Sequence, residues 1–153
     1  MAPEPAPEPA SGPGAATRWE HFEHGADIGV RGVGPTPAAA FEQAALALTG
    51  VATDPAGVRG VEEVSIRCPG RELEPLLVDW LNALVYETAT RRLLFGRTEV
   101  SLGPDGLEAR AWGEPVDVAR HQPAVEVKGA TYTMLRVERG AGGSWVAECV
   151  VDV

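Results

Sequence analysis

Two aspartates at opposite ends of the chain are the residues best suited to chemistry. Asp27 lies in His24-Gly25-Ala26-Asp27-Ile28-Gly29, three residues after a histidine and among small residues. Asp152 stands one residue before Val153, which carries the terminal carboxylate. A hard dication such as Ca²⁺ or Mg²⁺ is bound by several oxygens, drawn from carboxylates, carbonyls and water. If the two ends meet, Asp27 and Asp152 supply two carboxylates and Val153 a terminal carboxylate or a carbonyl. Plainer uses exist for the same residues. Asp27 can cap a turn through its own backbone, and an acidic chain end is commonly frayed. Against fraying, seven residues of good strand lead up to Asp152.

His24 could be a metal ligand, a general base or a structural histidine. No partner stands at the spacing that marks a zinc site, which favours the structural role; His21 and His121 have weaker claims. Lys128 is more pointed, being the only lysine beside twelve arginines. Its ammonium is a point charge that can meet a phosphate or a carboxylate, although a strand-edge lysine also serves simply as a solvated charge. The loop G-x-x-x-x-G-K-[ST], the fingerprint G-x-G-x-x-G and the nucleophile elbow G-x-S-x-G are all absent. Cys68 and Cys149 share no short metal-ligand spacing and read as buried free thiols.

The elements that must position these groups follow from the pattern. A chain of 153 residues is one domain's worth, with an ordinary apolar content of 44%. Its net charge of −9 excludes a broad basic surface for nucleic acid. No apolar run approaches a membrane span, and no basic-then-apolar leader is visible, so a cytoplasmic protein is expected. After Met1, residues up to 16 are Pro, Ala, Glu and Gly with one Ser, and 1–16 reads as a disordered tail by composition. The domain is expected over 17–153.

Residues 19–24 and 28–33 read as strands. Thr36 as N-cap and Pro37 at the first helical position open a helix that Gly50 is expected to end. Val64, Ile66 and Cys68 alternate with polar residues as a half-buried strand. Over 72–88 the apolar positions Leu73, Leu76, Leu77, Trp80, Leu81, Leu84 and Val85 form a wide helical stripe that must pack on something. Asp79, Asn82 and Glu87 fall off that stripe and read as solvated. Strands at 97–102 and 107–112 flank the turn at 103–106, with a loop over 113–123 and an extended run from 125. Strands at 131–138 and 145–151 flank the turn at 140–143. Helices do not alternate with strands, so the expected class is α+β: two helices packed on a mostly antiparallel sheet in a single domain.

The sequence resembles the archease family. The segments that carry the resemblance run in order: Trp19-Glu20-His21-Phe22-Glu23-His24-Gly25-Ala26-Asp27-Ile28-Gly29-Val30, Ala40-Phe41-Glu42-Gln43-Ala44-Ala45-Leu46-Ala47-Leu48, and Leu76-Leu77-Val78-Asp79-Trp80-Leu81-Asn82. Then come Gly113-Glu114-Pro115, Glu126-Val127-Lys128-Gly129-Ala130-Thr131-Tyr132 and the terminal Val151-Asp152-Val153. The resemblance implies an accessory protein, not itself a ligase, for RtcB-type RNA ligases, which join RNA ends using GTP and divalent metal. It would promote ligase guanylylation and multiple turnover in tRNA splicing or RNA repair, with GTP reached only through the ligase. It implies a metal site at Asp27 and Asp152 with Val153 alongside, holding a divalent cation, calcium foremost, with magnesium or manganese as alternatives. It assigns a functional role to Lys128 and leaves Asp79 and Glu87 of the second helix as candidates. The family usually has Thr where Gly25 stands and often Ala-Val at Gly129-Ala130, so this chain carries less bulk there. Two other functions compete: a protein-binding module or chaperone with a purely structural cation, and a metal-assisted hydrolase using Asp27, Asp152 and His24.

Overall fold

The structure is a computed structural model and describes residues 16–153; apart from Ala16, the tail expected over 1–16 lies outside them. The chain opens with a hairpin of β1 (Arg18–His24) and β2 (Asp27–Gly34), followed by helix α1 (Pro37–Ala52). Next come β3 (Glu62–Pro69), helix α2 (Leu73–Arg91), β4 (Leu93–Gly103) and β5 (Gly106–Pro115). A single helical turn α3 (Val118–His121), two short strands β6 (Gly129–Ala130) and β7 (Arg136–Arg139), and β8 (Trp145–Asp152) complete it.

The class is α+β, as expected, but the strands divide between two antiparallel sheets rather than one. The first runs β1-β2-β8, with β6 and β7 sharing the far flank of β8; the second runs β3-β5-β4. The helices explain the division. On α1 the buried residues Ala40, Phe41, Ala44, Ala45, Ala47, Leu48 and Val51 span an arc wide enough to meet both β2 and β8 of the first sheet and β4 of the second. Small residues let the backbones approach: a Cβ built on Gly32 in β2 would lie 2.1 Å from the Ala40 carbonyl oxygen and 2.3 Å from the Ala44 nitrogen. On α2 the expected stripe is the core, and fully buried Trp80 donates its indole N–H to the Phe41 carbonyl at 3.1 Å. That bond satisfies a donor that burial would otherwise strand.

Several boundaries differ from expectation for physical reasons. Helix α1 starts at the Thr36 cap, whose hydroxyl accepts from Ala39 N–H at 3.1 Å, but runs through Gly50 to Ala52. Gly50 is there for room, since a Cβ would stand 2.7 Å from the Trp19 ring. Helix α2 runs three residues past 88, until Arg92 turns left-handed at φ 58 without a glycine to announce it. The loop expected over 113–123 begins as strand and holds α3. The extended run from 125 to 127 joins no strand among the described residues, and of residues 131–138 only the end is strand. Thr131 and Thr133 straddle Val150 instead, with Thr131 N–H donating to its carbonyl and Val150 N–H to the Thr133 carbonyl, both at 3.0 Å. Both glycine-bearing turns lie where the pattern puts them, and both cysteines are free and buried. Burial pushes the Cys149 thiol up to about 12. On the open edge of the second sheet, the Glu42 carboxylate accepts the Val100 N–H of β4 at 2.8 Å.

Candidate functional site

The β1–β2 turn is made by Gly25 and Ala26, with Gly25 at φ 60. Glycine at the first central position is what a type II′ hairpin turn requires. The turn sets His24 opposite Asp27. Along β2 the ladder with β8 pairs Ile28 with Val151, so one further step sets Asp27 beside Asp152. The main-chain N–H of Val153 points at Asp27 Oδ1 at 3.4 Å, a long contact that brings Val153 against the start of β2. On its other flank Asp152 faces Gly129, and its carbonyl accepts the Lys128 N–H at 2.8 Å. A single row across the sheet therefore reads His24, Asp27, Asp152, Gly129, with Lys128 at its end.

Directly opposed residues in antiparallel strands project to one face. Val30, Cys149 and Val151 are fully buried in the shared core. Asp27 and Asp152 alternate onto the other face, in step with Arg31 and Glu148. There buried Glu148 is held by Arg31 at 2.6 Å and Arg136 at 3.1 Å, and Arg31 reaches Glu20 at 2.6 Å. These ion pairs tie β1, β2, β8 and β7 together behind the corner. Asp27 is partly buried, while Asp152, His24 and Lys128 are exposed. The Lys128 ammonium makes no ion pair or hydrogen bond among the described residues.

The structure thus brings Asp27, Asp152, Val153, His24 and Lys128 to one corner. Among the described residues no three His, Cys, Asp or Glu side chains gather into a ready-made cage. Two carboxylates with nearby backbone oxygens make a set that suits a hard cation whose shell water completes, and offers nothing to a thiophilic metal. Glu87 is engaged elsewhere, pairing with Arg91 one turn on at 2.5 Å. Asp79 is exposed on α2, with no hydrogen bond or ion pair among the described residues; the Cys68 thiol in β3 is raised chiefly by burial, and the Asp79 charge adds to it.

Asn82, expected to be solvated, is instead half-buried and bonded through both amide atoms to Ala130 of β6. A polar residue off the stripe was the only signal, and its spacing does not distinguish a strand from water as partner. His21 and His121 are structural. His21 Nε2 lies 2.8 Å from the Ala47 carbonyl oxygen. Buried His121 accepts Asp117 N–H on Nδ1 at 2.8 Å, which leaves Nε2–H to donate to Glu114 at 3.1 Å.

Glu114 is the second buried acid. Arg120 pairs with it, Arg59 N–H reaches it at 2.7 Å, and together with His121 they hold its carboxyl down to about 2 from an ordinary 4.5. A depressed folded value stabilises the fold above the unfolded pKa and is lost as pH falls through the folded one. Stability should therefore decline between pH 4.5 and about 2, and Glu114→Gln should flatten that part of the acid unfolding curve followed by circular dichroism.

The fold is a shared one. The chain superimposes on the solution structure of Methanobacterium thermoautotrophicum protein 1598 with a TM-score of 0.71 at 28% identity, covering 88% of this chain and 98% of that one. Residues 19–153 match the model of the Archease protein family. Protein archease of Pyrococcus furiosus is 40% identical over 140 residues, covering 89% of this chain and 99% of the relative. Protein archease of Methanosarcina mazei is 36% identical over 146 residues, covering 92% and 99%. The chain belongs to the archease family.

Proposed function

We propose that this protein is the accessory factor of an RtcB-type RNA ligase, promoting guanylylation and multiple turnover of the ligase in tRNA splicing or RNA repair. The observation that carries the reading is the contact of Val153 with the start of β2, with Val153 N–H on Asp27 and Asp152 beside it. In this reading Asp27, Asp152 and the terminal Val153 hold a divalent cation, calcium foremost. A cation so held would neutralise phosphate charge where a nucleotide is transferred. Asp27, rooted at the start of β2, offers the carboxylate oxygen not turned toward Val153. Asp152 is exposed and accessible to a partner. The Lys128 ammonium, with no ion-pair partner among the described residues, lies at the same corner, where it can meet a phosphate or a carboxylate of the ligase. In this reading RNA binding falls to the ligase, which the chain's charge of −9 supports.

The deciding experiment is single-turnover guanylylation of the cognate ligase, with GTP and metal, with and without the full chain. Faster guanylylation and sealing beyond one turnover are expected. Equal rates in both arms would retire the reading.

A further inference from the structure

We propose that Asn82 is the positioning residue of this corner: its side-chain amide clasps β6 and so holds Lys128 beside Asp152. Strand β6 is too short to hold itself, with two residues of which the first is glycine. One flank is bonded to the end of β8, and among the described residues no strand lies on the other. Asn82 occupies that empty place. Its Oδ1 accepts the Ala130 N–H at 2.8 Å and its Nδ2 donates to the Ala130 carbonyl at 3.2 Å. It thus serves both main-chain groups of one residue, as a neighbouring strand would.

The clasp has a firm base. Asn82 is flanked on α2 by Leu81 and Leu84, at 0% and 2% exposure, so core packing fixes the helix. No other side chain among the described residues hydrogen-bonds to β6. Gly129 leaves the space the amide uses, because a Cβ there would stand 3.3 Å from Asn82 Oδ1. Glycine also brings the largest backbone freedom of any residue to this short strand. Lys128 immediately precedes it, tied to Asp152 by one main-chain bond of 2.8 Å. Two hydrogen bonds from α2 restrain what that single bond cannot.

The proposal rests on the functional reading above only for what Lys128 does, not for where it is held. The test is Asn82→Ala in the full chain, read by amide hydrogen exchange and by single-turnover ligase guanylylation. Exchange at the Lys128 amide should accelerate by roughly tenfold or more, with core amides such as Val30 and Cys149 unchanged. Stimulation of the ligase should fall roughly tenfold and fall no further when Lys128→Ala is added, since residues acting as a unit are not additive. Gly129→Ala, which restrains β6 from within, should restore part of both losses in the Asn82→Ala background. Asn82→Asp keeps the acceptor and loses the donor; it should fall between, and it carries the same comparison if Asn82→Ala does not fold. Unchanged exchange at Lys128, or a further loss on adding Lys128→Ala, would overturn the proposal. A wild-type protein that fails to stimulate the ligase would remove the functional reading, and exchange at Lys128 would still decide the clasp.

Discussion

Asp27→Asn and Asp152→Asn are each expected to reduce ligase stimulation to the rate of the ligase alone, while the protein stays folded. The substitutions keep size and remove charge, and charge is what a hard cation selects. Loss of even an outer partner of a metal ligand costs ~10–100-fold in affinity, so loss of a direct carboxylate should cost about 100-fold or more, roughly 2.7 kcal/mol. Calcium titration by calorimetry should show that loss in either variant. Stability should move little for Asp152→Asn, within about 0.5 kcal/mol, because the side chain is exposed. Asp27→Asn retains an oxygen for Val153 N–H, so the contact of Val153 with the start of β2 should survive. A folded variant that stimulates the ligase as well as wild type, or binds calcium equally, would remove the site as drawn.

The largest stability effect is expected at Gly32, away from that corner. Gly32→Ala drives a methyl into helix backbone, at 2.1 Å from the Ala40 oxygen and 2.3 Å from the Ala44 nitrogen. Neither atom can rotate away, so β2 or α1 must shift as a body. Overpacking typically costs ~1–3 kcal/mol and more where the obstacle is rigid; about 3 kcal/mol or more is expected here. For a chain of this size that corresponds to a fall in Tm of roughly 10 °C. Calorimetric melting of the variant checks it, and a change below about 1 kcal/mol would show that the sheet and helix are less tightly apposed than described. The result bears on function, because β2 carries Asp27 at its other end and α1 fixes where that strand lies.

How much of this was readable from residue order depends on how local the cause is. The stripe of α2 was legible because Leu76, Leu77, Trp80, Leu81 and Leu84 recur at helical spacing whatever they pack against. The opening of α1 was legible because Thr36 and Pro37 act on the backbone next to them. Its end was not, because Gly50 answers to Trp19, thirty-one residues earlier, rather than to a local turn. The division into two sheets rests on which strands pair, and alternation within Val64, Ile66 and Cys68 names no partner. At the corner, Asp27 and Asp152 stand out in the sequence by residue type and place, and their juxtaposition comes from the β2–β8 register. The partner of Asn82 is not legible, because an amide off an apolar stripe looks the same from sequence whether it meets water or Ala130.

The divided flank of β8 bears on how the protein behaves among its own copies. An uninterrupted rim of unpaired amides and carbonyls is a template on which a foreign strand can zip. Here β6 and β7 occupy separate parts of that rim, with the detour through Thr131 and Thr133 between them, and the Glu42 carboxylate occupies an amide on the rim of β4. A stray strand arriving at either place meets a broken track, which guards a concentrated solution against fibre growth from these two sides.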